Sequence, residues 1–186
     1  VPTTLGSADV GVLAGKFKMN GLNVKNPEGF SSPHFLDLGE GRVAVKLSTL
    51  QKEVIELPEL TLADIDVNLQ RAGGKSNYKV ILDNLKRFES GTPKEPTPSK
   101  EPSKEFVIRR VEIRNINAHV QLLPIGGDAT RVDVTVPEIV LTDVGEGDGG
   151  IPMSQLVNVL TQAILESIVK VGGGIIPGDI LGDLQG

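Results

Sequence analysis

The chain has no cysteine and no tryptophan, and among its 186 residues there are one tyrosine, five phenylalanines and two histidines. The missing cysteines exclude disulfides and thiolate metal sites, and they leave the redox character of the compartment open. With aromatics at 3%, a core has to be built from Val, Ile and Leu, which suits sheets. Bases would find little to stack on. A basic stripe is missing too: 19 Lys and Arg are scattered along a chain of net charge −5, which argues against a nucleic-acid partner. No segment offers the ~20 apolar residues of a membrane-spanning helix. The longest uncharged helical stretch, residues 151–165, is interrupted by Ser154, Gln155, Asn158, Thr161 and Gln162. The chain opens on Val1 rather than Met, so an N-terminal signal or membrane anchor is expected to have been removed before it.

What is present is a repeated strand. Residues 16–144 alternate apolar and polar side chains with period two, the mark of strands with one buried face. The alternation slips in the same way four times: Phe17, Met19, then Leu22, Val24; Leu60, Leu62, then Ile65, Val67; Val111, Ile113, then Ile116, Ala118; Ile139, Leu141, then Val144. A one-residue slip would send every later side chain to the other face, so a β-bulge is expected in each unit. Its markers are Gly21, Asp64, Asn115 and Asp143, residue types that tolerate a left-handed backbone. Two units match further, since Ile55-x-Leu57-Pro58-Glu59-Leu60-x-Leu62-x-Asp64-Ile65 returns as Val134-x-Val136-Pro137-Glu138-Ile139-x-Leu141-x-Asp143-Val144. This is internal duplication, and its prolines belong at sheet edges or strand bends.

Two amphipathic helices are expected to cover the sheet. The first carries Tyr78, Ile81, Leu82, Leu85 and Phe88 at helical spacing. The second runs over about residues 152–171 to Gly172-Gly173-Gly174, with a main stripe of Leu156, Val159, Leu160, Ala163, Ile164, Ile168 and Val171. Its second apolar edge, Val157, Leu165 and Val169, exceeds what one sheet contact requires; the tail Ile175-Ile176-Pro177, another subunit or a lipid would cover it. Residues 94–105 hold Lys, Glu, Pro, Ser and Thr without an apolar side chain, so they read as an exposed linker. Gly126-Gly127-Asp128 reads as a hairpin turn. The expected class is α+β: a curved, mostly antiparallel sheet of repeated bulged strands with two helices packed against it. Residues 1–90 form strands plus a helix, 91–105 the linker, and 106–186 a second strand pair plus the C-terminal helix, sharing one sheet and core with the first part.

Catalytic signatures are sparse. His34 stands in a Ser-Pro-His-Phe turn, and His119 alternates with Ala118 and Val120 so as to point off the apolar face; neither has a second His or Cys nearby. Gly-x-Ser-x-Gly is absent. The loop Gly145-Glu146-Gly147-Asp148-Gly149-Gly150 would repel a phosphate and offers at most a weak divalent-cation site. The reading is of a protein that is not an enzyme and needs no metal or cofactor.

One segment resembles a known family. Gly21-Leu22-Asn23-Val24-Lys25-Asn26-Pro27-Glu28-Gly29-Phe30 is followed by Leu36-x-Leu38-Gly39, the strand Arg42-Val43-Ala44-Val45-Lys46-Leu47, the strand of residues 60–69 and the helix start Ser76-Asn77-Tyr78. Over residues 14–88 this is similar to the N-terminal region of AsmA-like bacterial envelope proteins. The resemblance implies a periplasmic or exported location, an N-terminal anchor and a sheet whose apolar face handles lipid, and it carries no catalytic residues. A lipid or partner groove is therefore expected along Leu60, Leu62, Ile113, Ile139, Leu141, Val157, Leu165 and Val169. The alternative is a self-assembling structural or filament subunit that adds strands at open sheet edges, with residues 1–13 as a candidate donor.

Overall fold

The alternating segments fold as strands of one open sheet; the computed structural model describes residues 2–11, 14–89, 104–125, 128–147 and 149–173. The elements are β1 (Thr3–Gly11), β2 (Lys16–Lys25), β3 (His34–Ala44), β4 (Val54–Leu57), β5 (Glu59–Ala72), β6 (Lys75–Ser76), α1 (Asn77–Glu89), β7 (Glu105–Ile125), β8 (Asp128–Val144), β9 (Ile151–Pro152) and α2 (Met153–Gly172). The class is α+β, with a large, mostly antiparallel sheet. Strands β1, β2, β3 and β5 pair antiparallel in that order, β5 lies parallel to β7, and β8 lies antiparallel on the far side of β7. Strand β4 also pairs parallel with β7, in the same register as β5. β4 and β5 are thus one path broken at Pro58, where the ladder loses a donor. Pro137 sits in β8, an edge of the sheet.

The β5–β7 pairing runs from Leu60 beside Val111 to Gln70 beside Gln121, so residues before and after the linker share one sheet and one hydrophobic cluster. Glu105, read as the last linker residue, instead opens β7 beside Val54. Residues 90–103, the turn glycines 126–127, Asp148 and the tail 175–177 lie outside the described residues.

The slips line up across the sheet. Registers on both sides place Gly6 opposite Gly21, Gly21 opposite Gly39, Gly39 opposite Asp64, Asp64 beside Asn115, and Asn115 opposite Pro137. Six residues away, Pro58, Arg109 and Asp143 form a second such row. The backbone is left-handed at Gly21 (φ 69°), Asp64 (φ 58°), Asn115 (φ 53°) and Asp143 (φ 53°). Gly6 and Gly39 do not have positive φ, and proline fixes Pro137 at negative φ. The signs follow strand direction: antiparallel neighbours in a row alternate, parallel neighbours agree. The expected two-against-one bulges at Gly21, Asp64, Asn115 and Asp143 do not form. Every strand slips at the same level as its neighbour, so register is unchanged across each row; the register shifts lie between Val24 and Lys25 and between Val120 and Leu123. Close contact enforces the pattern at Gly39, where a Cβ would come 2.9 Å from the Cβ of Asp64. The duplicated segments flank β7 in opposite directions, which is why Pro58 shares a row with Asp143 and Asp64 with Pro137.

Each slip keeps the apolar residues on one face, and these form continuous rows such as Leu22, Leu38, Ile65, Ile116 and Val136. Ile65, Val67, Ile113 and Ile116 are buried beneath the helices' side of the sheet. In α1, Tyr78, Ile81 and Leu82 are buried, while the side chains of Leu85 and Phe88 lie outside the described ones. In α2 the buried residues are Leu156, Ile164, Leu165, Ile168, Val169 and Gly172. The expected stripe is thus turned toward its second edge. Val159, Leu160 and Ala163 are half-buried and Val171 is exposed, because α2 packs against both the sheet and α1. No helix among the described residues is long and apolar enough to cross a membrane.

Candidate functional site

The apolar face is covered unequally. The helices make their principal contacts with β5, β6, β7, β8, β9 and one another, whereas the rows continue past them onto β1–β3. There Phe17, Met19, Leu22, Val24, Leu36 and Val43 are half-buried, and on β1 Leu5 is 50% and Val10 59% exposed. Isolated exposed apolar residues are ordinary, but a contiguous strip continuous with a core marks an interaction surface. The strip does not coincide with the residues expected to line a groove. Leu60, Ile113, Ile139, Leu165 and Val169 are buried in the core, so they cannot line an open groove. Leu62 and Leu141 are half-buried against it, and Val157 is exposed on α2. The N-terminal segment is not a free donor, because Thr3–Gly11 is paired with β2 of its own chain.

Beside the strip, the motif residues build a buried polar latch. Asn77, fully buried, accepts hydrogen bonds at Oδ1 from the backbone N–H groups of Gln70 and Tyr78, each at 2.9 Å. Its Nδ2 donates to the Asn68 carbonyl at 2.6 Å and to Asn26 Oδ1 at 2.8 Å. Asn26 Nδ2 in turn donates to the Ser32 carbonyl at 2.8 Å. Gln70 Nε2 donates to Ser31 Oγ at 2.8 Å and Gln121 Oε1 at 2.7 Å, and Gln70 Oε1 accepts from the Ser32 N–H at 2.9 Å. One network therefore ties the loop of residues 26–33 to β5, β7 and the start of α1. Buried amides are tolerated only when satisfied this fully. In sequence, Asn26 and Asn77 are parts of a motif with no visible role, and Gln70, Ser31 and Gln121 carry no signal at all; only the fold brings them together.

The opposite face is polar and ion-paired. Lys18 and Arg42 meet Glu40 at 2.6 and 2.7 Å, and Arg114 meets the nearly buried Glu112 at 2.5 Å. The hydrogen bond from Arg114, more than any other contact, holds Glu112 below the usual carboxylate range. Asp143 and Glu146 share Arg109 at 3.6 and 2.5 Å, so Glu146 of the glycine-rich loop already has a cation. His34 Nδ1 lies 3.1 Å from Asp37, which also takes a hydrogen bond from Asn23. His119 lies between two carboxylates, with Nε2 2.8 Å from Asp66 Oδ2 and Nδ1 2.6 Å from Asp133 Oδ1. Arg131 approaches the same Nδ1 at 2.6 Å. Both imidazoles thus stand beside carboxylates, and neither ring hydrogen-bonds a hydroxyl among the described residues. That is the geometry of ion pairs across a sheet face.

Burial pushes the His119 imidazole down, but the hydrogen bonds to Asp133 and Asp66 and the charge of Asp66 outweigh it, and its pKa is raised above 6.5. A raised folded-state pKa means that the stabilisation is complete below the unfolded value and is lost as pH climbs through the folded one. Thermal melts should therefore show wild type losing its advantage over His119→Gln as pH rises above about 6.5. Parallel pH profiles for the two proteins would refute this.

A surface cavity of about 470 Å³, lined by Arg71, Lys75, Ser76, Lys79, Val80 and Asp83 among others, lies at the β5–β6 turn and the start of α1. It contains none of the predicted site residues. No group of three or more His, Asp or Glu is placed to hold a metal ion among the described residues. Compared with known proteins, the chain matches no family model and no curated protein.

Proposed function

We propose that the chain is a non-enzymatic, AsmA-like module of the bacterial cell envelope, periplasmic or exported, which holds lipid or a membrane surface against the uncovered apolar strip of β1–β3. The observation that carries this reading is the run of apolar rows from a helix-covered core to an exposed edge, ending at Leu5 and Val10. An apolar face finished by solvent loses the burial it is built for, at about 25 cal/mol for each Å² left wet, and acyl chains would restore it. The fully bonded amide latch supports the kinship, because it gives the Asn-Pro-Glu-Gly-Phe and Ser-Asn-Tyr elements a shared structural task. The paired histidines on the polar face support a role without catalysis.

Flotation with phosphatidylethanolamine and phosphatidylglycerol vesicles provides the test. Wild type should rise with the vesicles, and a Leu5→Asp, Val10→Asp double variant with unchanged far-UV circular dichroism should stay at the bottom. If wild type also stays behind and its native mass spectrum carries no lipid, the reading fails.

A further inference from the structure

We propose that copies of this chain join head to tail, the outer edge of β8 in one copy pairing in parallel with the outer edge of β1 in the next, so that one sheet continues through many molecules. Among the described residues these two strands are the outer edges of the sheet. Strand β1 presents nine exposed residues, Thr3–Gly11, with one charge, Asp9, and no proline or lysine. Charge, proline and bulges are the usual guards against strand addition, and β1 has almost none. From Arg131 to Thr142, β8 makes no backbone hydrogen bond among the described residues beyond its ladder with β7.

Strand direction decides how the edges can meet. The antiparallel steps from β1 to β5, the parallel step to β7 and the antiparallel step to β8 leave β1 and β8 running the same way. Simple translation therefore sets β8 of one copy parallel to β1 of another, a heterologous contact that does not close on itself. A two-fold contact of β1 with β1, or of β8 with β8, is antiparallel.

The bend row then selects between these contacts. Within the chain, antiparallel neighbours in a row always combine one positive φ with one that is not, as in Gly21 with Gly39 and Asn115 with Pro137, whereas parallel neighbours agree, as in Asp64 with Asn115. Gly6 and Pro137 are both non-positive, so they satisfy the parallel rule and violate the antiparallel one in either two-fold contact. Setting Pro137 level with Gly6 also places Val136 beside Leu5, Ile139 beside Ala8 and Leu141 beside Val10, extending three apolar rows. On the polar face it sets Glu138 beside Ser7 and Val140 beside Asp9, with no like charges opposed.

The absence of native cysteine gives a clean test. Leu5→Cys and Val136→Cys, each first shown by circular dichroism to be folded, are oxidised separately and then as a mixture. The mixture should give disulfide-linked dimers and the separate proteins should not, and light scattering of wild type should show a mass rising with concentration past twice 19.7 kDa. A Leu5→Cys protein that links to itself would establish a two-fold contact and overturn the proposal. So would a wild type that stays monomeric at the highest soluble concentration, with no link in the mixture.

Discussion

Replacing Asn77 with Ala should cost on the order of 3 kcal/mol of folding stability, read as a fall of roughly 6–12 °C in melting temperature. The side chain is fully buried and makes four hydrogen bonds, two as acceptor from the N–H groups of Gln70 and Tyr78, and two as donor to Asn68 and Asn26. Truncation removes all four and strands their partners in an interior that water does not reach, where each orphan costs about 1–3 kcal/mol before relaxation. Asn77→Asp separates hydrogen bonding from shape. It keeps the acceptor for both N–H groups but sets a carboxylate oxygen against two other oxygens, so it should be at least as damaging as the alanine. Asn26→Ala removes only one of the four partners, together with the bonds of Asn26 to Ser32, His34 and Gln70 at the half-buried edge of the network, and should cost less than half as much. Urea unfolding followed by circular dichroism measures all three. A loss under about 1 kcal/mol for Asn77→Ala would mean that the latch is not a stabilising network.

The second expectation runs against strand propensity. Asn115 lies in the middle of β7, an interior strand paired on both sides, where valine would ordinarily be favoured over asparagine. Its φ of 53° reverses the preference, since a β-branched side chain in the left-handed region meets its own backbone and costs about 1–3 kcal/mol. Asn115→Val should therefore destabilise by about 2 kcal/mol, part of it from the lost hydrogen bond to Asp64 at 3.1 Å. Asn115→Gly should stay within about 1 kcal/mol of wild type, because glycine enters this region without strain. Chemical denaturation of the pair gives the sign directly. A valine variant more stable than the glycine one would show that the row does not depend on left-handed residues.

These two sites mark how far sequence reading reaches. The slipped alternation and its Gly, Asp and Asn markers are local facts, written in successive side chains, and they locate the strands and their left-handed residues. Gly6, Gly39 and Pro137 belong to the same row without positive φ, and nothing in their own strands says so; their part is set by the neighbour across the ladder. A strand considered alone would need a bulge at each slip. All six strands slip at one level, which removes the need for two residues to face one. Most of the residues expected to line a groove are covered for a related reason. Alternation tells which side of a strand is apolar but not where a helix will sit upon that side, and Leu60, Ile113 and Ile139 are buried while Leu5 and Val10 are exposed.

By itself the sequence determined the alternation that makes a two-faced sheet, the apolar character of both helices and the absence of the chemistry that disulfides or thiolate metal sites require. Those properties depend on the kind and spacing of neighbouring residues, which the chain states directly. Tertiary structure alone decided the parallel pairing of β5 with β7, the alignment of bends into rows, the meeting of Asn26, Gln70 and Asn77, and the uncovered strip at β1. Each of these joins residues distant in the chain, and which distant residues meet is settled by how the whole apolar surface is best buried.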